Sequence, residues 1–451
     1  MVESTTMSNN KSLKSKWHEN WLELLVISAV LGGLIGIATA GYRLVIIELK
    51  RLFQGALATA AAGSAWAISV VIVTYIGLAL LNALLYTWEP LLGGGGVPHL
   101  FGEQRGTLRG RWWVIAPVKM SLVALNAGSA FGLGSLAGPL HAGGLLAGAV
   151  RFPRDKTKPQ QSLIGVGVAA SLAAILHAPL AGLIFAIEAF DKRFSHITLL
   201  GSLCAGFIAK GITSAFFGLR PILSLPDLPR PSGFSYGLLL ILGLVCGLSG
   251  WLFYRLIILF RRVFSVLKMP TWAKILVTFL LILGALFLVP ELFGSGNPLI
   301  LKVAGDPGLP LTRVLLVYGL KMILITLAIA AGIAGGIFTP LMVTGALIGN
   351  ALAQLAVQLG IIPAEQVLIF TVCAMAAHVA VAMHIPLTGI VLTAEMTGSF
   401  GGVLMPAAIV VIVTMIVARI LAVRPINDYL YEQMPQLSGI DHSARSDEGE
   451  N

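Results

Sequence analysis

The chain has 451 residues, of which 57% are hydrophobic and only 11% are charged. With a mean hydropathy of +0.90, it has too little polar surface to cover a soluble globule of this size, which excludes a soluble protein and indicates an integral membrane protein. The net charge of +10 does not indicate nucleic-acid binding, because the Lys and Arg residues lie mainly at the ends of apolar runs and in short loops. We therefore expect membrane lipid, and no nucleic acid, as a partner.

The chain opens with a polar segment, residues 1–20, that carries Lys11, Lys14 and Lys16 before the first apolar run. That run is too long for a cleaved signal peptide and lacks a small-residue cleavage site. Because Lys and Arg are enriched on the cytoplasmic side of membrane proteins, we expect the segment to be cytoplasmic.

Long apolar runs follow, at 22–41, 65–86, 236–260 and 406–423. Each approaches or exceeds the roughly 20 residues that a helix needs to cross a membrane. The runs are continuous and do not alternate between apolar and polar residues, so we expect an all-α integral membrane protein. Three cysteines lie in apolar stretches without metal-ligand spacing, and we expect no cofactor or metal.

The chain contains an internal repeat. The segment HAPLAGLIFAIE, 177–188, returns as HIPLTGIVLTAE at 384–395. Upstream, PVKM at 117–120 and GLKM at 319–322 each precede a Gly-rich stretch that ends in Pro. Duplication with Gly/Pro-interrupted apolar segments at matching places is typical of transporters whose broken helices meet near the midplane.

The repeat divides the chain into a first membrane repeat at 21–217 and a second at 235–435. Between them, residues 218–234 are rich in Pro and polar enough for an extramembrane connection. Residues 436–451 are expected to form a polar C-terminal tail.

Helices are predicted to begin at three Gly-rich breaks, at 94–98, around 138–139 and at 335–340. A helix that begins inside a membrane leaves about four backbone N–H groups without partners and about half a positive charge there. Such ends attract anions. Lys119 and Lys321, at matching positions in the two halves, would either add positive potential along an anion route or extend to the membrane interface.

Six segments in fixed order resemble the CLC family of chloride channels and chloride/proton exchangers. They are GGGGVP (93–98), RWWVIAPVK (111–119), HAPLAGLIFAIE (177–188), GGIFTP (335–340), PLTGIVLTAEMTGSF (386–400) and RPIND (424–428). The resemblance covers roughly residues 20–435. It implies an inverted repeat of two halves with about eighteen mostly tilted or broken helices, and a homodimer in which each subunit has its own anion pore.

The resemblance also assigns the repeated segment. Pro179 and Pro386 would begin corresponding helices, and Glu188 and Glu395 would lie toward their far ends. A metal site that combines these acids with His177 and His384 is not expected, because 11 residues separate each His from its Glu.

The resemblance implies that anions bind backbone amides at the breaks. The implied anion-binding residues are Gly95, Gly96, Val97, Ile337, Phe338 and Asn427. Gly95 stands where the family has a serine, and Asn427 stands where it has a tyrosine.

Two functional carboxylates of the family are missing. In the gate segment, here GSLAGP, the position before Gly138 and Pro139 is Ala137 rather than the gating Glu. The proton-relay Glu of the exchangers is replaced by Ala189. Alanine does not titrate, so we expect passive conduction of chloride or similar small anions without proton coupling, and no enzymatic activity.

Two alternatives remain open. One is a proton-coupled exchanger that uses a substitute acid or His141, and the other is a non-transporting homologue. The fluoride-selective branch of the family is less favoured, because Phe338 and the lack of an Asn near Ala137 do not support it. Only 27 residues follow Arg424, which leaves no room for nucleotide-binding regulatory domains and suggests a prokaryotic inner-membrane protein with both termini cytoplasmic.

Overall fold

The computed structural model describes residues 2–434 apart from 130, 151–161, 226–227, 230, 232, 295 and 306–308. The predicted tail at 436–451 lies outside these residues. Within the described part the chain is helical, with seventeen α-helices and one isolated bridge between Gly134 and Gly336. The all-α prediction is confirmed.

The helices of the first half are α1 (Val2–Ala61), α2 (Ala65–Trp88), α3 (Val97–Gln104), α4 (Trp112–Gly128), α5 (Ala137–Ala149), α6 (Ser162–Leu176), α7 (Pro179–Phe185) and α8 (His196–Phe217). Those of the second are α9 (Gly233–Val266), α10 (Thr271–Leu288), α11 (Asn297–Gly305), α12 (Leu311–Ala330), α13 (Phe338–Gln358), α14 (Val367–Met383), α15 (Pro386–Thr397), α16 (Phe400–Ile420) and α17 (Ile426–Glu432). Short 3₁₀ turns at Pro90–Leu92, Pro290–Leu292 and Ala364–Gln366 and a π-helical segment at Ala186–Asp191 complete the elements.

The order of elements in the first half recurs in the second. In both halves, a long helix and a second spanning helix lead to a 3₁₀ turn, a short helix and then the lysine-bearing helix, α4 or α12. Helices α5 to α8 correspond in the same way to α13 to α16, and α17 is additional. The inverted repeat of the predicted fold class is therefore visible in the element order.

Nine helices among the described residues are long and apolar enough to cross a membrane. The four predicted apolar runs lie in α1, α2, α9 and α16. The chain is thus a multi-pass membrane protein. The shortest helices, α3, α5, α7, α11, α15 and α17, have 13 residues or fewer and are too short to span a membrane alone.

The core lies around α13 and α14. Of the most apolar stretch of α14, 94% is buried, whereas the corresponding share for α2 and α10 is 33%. An entirely apolar helix that is buried on every side belongs at the centre of a bundle.

The His-x-Pro pattern of the repeated segment marks a helix end followed by a helix start. His177 ends α6 and His384 ends α14, and both adopt the left-handed conformation, with φ of 55° and 56°. Pro179 and Pro386 then begin α7 and α15, where the fixed φ of proline suits a first turn. The predicted starts of these two helices are confirmed.

The glutamate of the second repeat caps a helix of the first. Glu395 accepts hydrogen bonds from the backbone N–H groups of Leu180 (3.2 Å) and Ala181 (2.8 Å), at the start of α7. A carboxylate at a helix N-terminus satisfies unpaired donors and interacts favourably with the helix dipole.

The glutamate of the first repeat likewise caps a helix of the second. Glu188 lies in the π-helical segment after α7 and accepts hydrogen bonds from the N–H groups of Leu387 (2.9 Å) and Thr388 (2.8 Å), and from the Thr388 hydroxyl (2.7 Å). The two repeats therefore cap each other, which explains why the repeated segment closes in a carboxylate.

We predict that Glu395→Ala lowers the free energy of unfolding by about 2 kcal/mol, because two N–H groups of α7 lose a charged acceptor. Thermal unfolding of the detergent-solubilised protein measures the effect. The control is Glu365→Ala, which removes an exposed glutamate and should leave the transition in place. Equal transitions for Glu395→Ala and the unsubstituted protein would contradict the capping role.

Candidate anion pathway

Three Gly-rich breaks meet at one place and are joined by backbone hydrogen bonds. Gly134 and Gly336 exchange N–H···O bonds of 2.7 Å in both directions. Gly94 donates to the carbonyl of Gly332 (3.1 Å), and its own carbonyl accepts from Gly335 (3.3 Å). We call this set of five residues the glycine ladder. It holds the starts of α3, α5 and α13 side by side.

The three predicted helix starts are therefore confirmed. Helix α3 begins at Val97, α5 at Ala137 and α13 at Phe338. Gly96 precedes α3 with φ of +86°, a conformation that only glycine adopts without strain. Within the described residues, the amides of Gly95, Gly96 and Ile337 donate to no backbone carbonyl, so they remain available to an anion.

A cavity of about 640 Å³ opens beside the glycine ladder. Its floor includes the glycines of the first break, and its wall carries three cations. The lining includes Tyr86, Gly93, Gly94, Gly95, Gly96, Pro98, His99, Arg261, Arg262, Lys274, Ile337, Asn427, Tyr429 and Gln433. The described lining contains no Asp or Glu, so its charge favours anions over cations.

The structure brings four of the six predicted anion-binding residues to this cavity. Gly95, Gly96, Ile337 and Asn427 line it. Val97 and Phe338, both buried, are the first residues of α3 and α13. Asn427 lies in the first turn of α17 and is 5% exposed. The predicted set thus forms one neighbourhood from three separate parts of the chain.

The gate position carries a methyl group. Ala137 is 1% exposed and packs in an apolar cluster with Leu122, Val123 and Ala334. Its amide is close to the ladder, since a Cβ on Gly336 would lie 3.1 Å from the nitrogen of Ala137. The other lost carboxylate position, Ala189, is buried in the π-helical segment.

Lys119 does not extend to the membrane interface. It is fully buried, and its Nζ donates to the carbonyls of Leu92 (2.5 Å), Gly93 (2.6 Å) and Gly94 (2.8 Å). An ammonium group has three donors, and all three hold the first break. The lysine therefore lies beside the glycines that line the cavity.

Lys321 is the corresponding residue of the second half, but it lies elsewhere. It is 2% exposed and donates to the carbonyls of Leu292 (3.1 Å) and Gly294 (2.8 Å). It lines a separate cavity of about 20 Å³. Both lysines are thus buried with their ammonium groups on backbone carbonyls, and only Lys119 lies beside the glycines of the larger cavity.

Lys321 also identifies a break that the sequence analysis missed. Gly294 and Gly296 precede α11, which begins at Asn297, and both have positive φ. The signal was present, because Gly294 precedes Lys321 by 27 positions and Gly94 precedes Lys119 by 25.

Two buried asparagines support the third break and were also missed. Asn126 of α4 donates to the carbonyl of Ala334 (2.8 Å) and to Asn82 of α2 (3.0 Å). Asn82 donates in return to Asn126 (2.9 Å). Polar side chains inside a membrane protein are rare and mark functional or structural sites, so two Asn residues in apolar spans were the available signal.

The structure does not bring His177, Glu188, His384 and Glu395 together as a metal site. Among the described residues, no group of three or more His, Cys, Asp or Glu side chains could hold a metal ion. The two glutamates instead cap helices, as described above.

Comparisons with known proteins agree on one family. A family model described as "Voltage gated chloride channel" matches residues 76–419. The H(+)/Cl(-) exchange transporter ClcA of Vibrio cholerae serotype O1 is 29% identical over 361 residues, which is 77% of this chain and 75% of that protein.

Solved structures have the same fold. A slow cyanobacterial Cl-/H+ antiporter superposes with a TM-score of 0.83 at 27% identity, over 91% of this chain and 97% of that chain. A CLC-type fluoride/proton antiporter gives a TM-score of 0.70 at 22% identity, over 88% and 95%. The latter likeness concerns the fold alone.

Proposed function

Since the chain belongs to the voltage gated chloride channel family, we propose that each subunit conducts chloride or a similar small anion passively, without coupled proton movement. The observation that carries the proposal is Ala137 at the start of α5, beside the glycine ladder. A methyl group neither competes with an anion for backbone amides nor carries a proton.

The anion specificity follows from the donors. Free amides at Gly95, Gly96 and Ile337 offer N–H groups without a full positive charge that would hold the ion too tightly. Arg261, Arg262 and Lys274 line the cavity next to them. A low-dielectric cavity lined by one sign of charge concentrates the opposite ion at its floor.

Proton coupling lacks an available acid. Coupling needs groups that titrate and exchange places with the anion, and the described lining of the cavity has no carboxylate that could do so. Glu188 and Glu395 hold the starts of α15 and α7. Both acids therefore have a structural task away from the glycine ladder.

We also propose that the protein is a homodimer in a prokaryotic inner membrane, with N- and C-termini in the cytoplasm. Bacterial relatives such as that of Vibrio cholerae support the setting. Exposed apolar side chains on α8 and α16, among them Phe207, Phe216, Met405 and Ile412, suit contact with lipid or a second subunit.

Chloride efflux from liposomes tests the function. Purified protein is reconstituted in KCl-loaded liposomes, and external chloride and pH are recorded after dilution into low-chloride medium. We expect rapid chloride loss when valinomycin lets K⁺ follow, with no linked change of external pH. Protein-free liposomes are the control.

The same assay distinguishes two competing functions. Proton uptake into the liposomes at a fixed ratio to chloride loss would identify an exchanger, like the exchange transporter and the antiporter compared above. No chloride loss with valinomycin would identify a non-transporting homologue.

A further inference from the structure

Two histidines face each other next to the first break. His99 lies in the first turn of α3 and lines the cavity, and His141 lies on α5. Their ring centroids are 5.2 Å apart. His141 follows Ala137 by four residues, so it lies about one helical turn further along the same face of α5. We call these two residues the histidine pair.

The histidine pair is buried and incompletely bonded. His99 is 8% and His141 1% exposed. The Nδ1 atom of each ring is buried and has no hydrogen-bond partner among the described residues. Leaving a buried polar atom unpaired is unfavourable by about 1–3 kcal/mol, so two such atoms in one place indicate a bound water or ion.

His177 and His384 each also have one buried ring nitrogen without a partner in the described part of the chain, but they lie at the ends of α6 and α14, whereas another buried histidine is fully bonded. His378 is also fully buried, but its Nδ1 lies 3.0 Å from the Thr344 hydroxyl and its Nε2 lies 2.9 Å from the Ser249 hydroxyl. Both ring nitrogens of His378 are therefore partnered, as expected of a structural residue.

The ring of His141 packs directly against the first break. A Cβ on Gly96 would lie 2.7 Å from Cβ and 2.9 Å from Cγ of His141. The close approach places the imidazole beside the free amide of Gly96. An anion that binds this amide is thus within reach of the histidine pair.

We propose that His99 and His141 form an anion subsite beside Gly96, in which protonated Nδ1 atoms of the two rings donate hydrogen bonds to a halide. The inference rests on the proposed function and extends it, because it makes conduction increase at acid pH. The protons come from water in the cavity and stay on the rings while the anion passes.

The chemistry follows from the ring nitrogens. Neither Nδ1 atom has a partner among the described residues, so a neutral ring can carry its one proton on Nε2. A neutral ring that donates through Nε2 has only a lone pair at Nδ1, which repels an anion. Proton uptake converts Nδ1 into a charged donor, the stronger class of hydrogen bond.

The charged and titratable groups around the histidine pair make proton binding and anion binding cooperative. Lys119 of α4 interacts electrostatically with both rings, so it opposes protonation of an empty pair and a bound anion relieves that repulsion. The same anion then favours the protons, and the linkage is reciprocal. The packed elements carry other such groups, including Tyr42 and Arg43 of α1, Glu103 of α3, and Asp428, Tyr429, Tyr431 and Glu432 of α17, while the sequence of α6, Ser162–Leu176, has none.

The experiment has a flux measurement and a binding measurement. Chloride efflux with valinomycin is recorded at equal internal and external pH, from about pH 7.5 to about pH 4, because buried rings beside Lys119 take up protons at lower pH than a free imidazole. We expect the wild-type rate to rise by about tenfold as the pH falls. The double variant His99→Gln with His141→Gln, which has amides that do not titrate, should give a flat profile.

Controls separate the pair from other histidines and from misfolding. His196→Gln replaces an exposed histidine on α8 and should keep the wild-type profile. If the glutamine variant does not fold, His99→Phe with His141→Phe keeps the ring volume and should likewise lose the acid response. A wild-type rate that is independent of pH, or an unchanged acid response in the folded double variant, would overturn the proposal.

Bromide binding tests the subsite independently of transport. Crystals of the wild-type protein in bromide at about pH 4 should show an anomalous peak within hydrogen-bond reach of both Nδ1 atoms, and the peak should weaken at neutral pH. A peak there without any chloride flux would refute the proposed function and keep the subsite. Flux without a peak there would refute the subsite and keep the function.

Discussion

Replacing Ala137 by glutamate should reduce chloride efflux at neutral pH by at least about tenfold, which corresponds to about 1.4 kcal/mol. The new carboxylate would start at the first residue of α5, next to the glycine ladder. A tethered anion has a high effective concentration and competes with chloride for the same amides. Acidification should restore part of the flux, because a protonated carboxyl no longer binds as an anion.

The same variant should remain uncoupled. Position 189 is alanine in the π-helical segment, so no acid there relays protons to the new carboxylate. Efflux with simultaneous pH recording measures both properties. Ala137→Gln is the matched control, since it adds similar bulk without charge and should show no acid recovery beyond the acid response of the wild-type protein. Wild-type flux in Ala137→Glu would mean that α5 does not begin beside the anion path.

Replacing Lys119 by methionine should lower chloride flux by about a hundredfold. Methionine fills a similar volume but leaves the carbonyls of Leu92, Gly93 and Gly94 without their donor. At about 1 kcal/mol for each lost bond, the native geometry of the first break becomes less favourable by about 3 kcal/mol, or roughly a hundredfold. Efflux rate per folded protein, with folding assessed by size-exclusion chromatography, measures the effect.

Lys321→Met provides the matched control. The native Lys321 is also buried, and its replacement likewise leaves two carbonyls, those of Leu292 and Gly294, without their donor. Lys321, however, lines a cavity other than the one beside the glycine ladder. We expect lower thermal stability with flux per folded protein within about threefold of wild type, or less than 1 kcal/mol. Equal loss of flux in both variants would show that Lys119 acts through stability alone.

Local rules were sufficient to predict where the broken helices start. Proline marks the first turn of a helix, and α3, α7, α13 and α15 each begin at a proline or within two residues before one. The continuous helix expected from Pro179 to Glu188 was less accurate, since α7 ends at Phe185 and a π-helical segment follows.

Contacts between distant residues could not be read from the same rules. The Asn82–Asn126 pair joins residues 44 positions apart, and Asn126 reaches Ala334, 208 positions away. From its sequence position, Lys119 could either extend to the membrane interface or add positive potential near the breaks. Only the structure shows that its Nζ is buried on the carbonyls of the first break. The histidine pair, likewise, exists because α3 packs on α5.

The glycine ladder determines how the two halves can move. Its bonds connect the breaks before α3 and α5 in the first half to the break before α13 in the second. In a rocking mechanism, one half tilts against the other in each turnover. Such a mechanism would have to break the hydrogen bonds of the glycine ladder every time an ion passes. Under the proposed function the two halves stay fixed relative to each other. The rate-limiting event is then the exchange of an ion's hydration shell for peptide groups in a pore that does not rearrange.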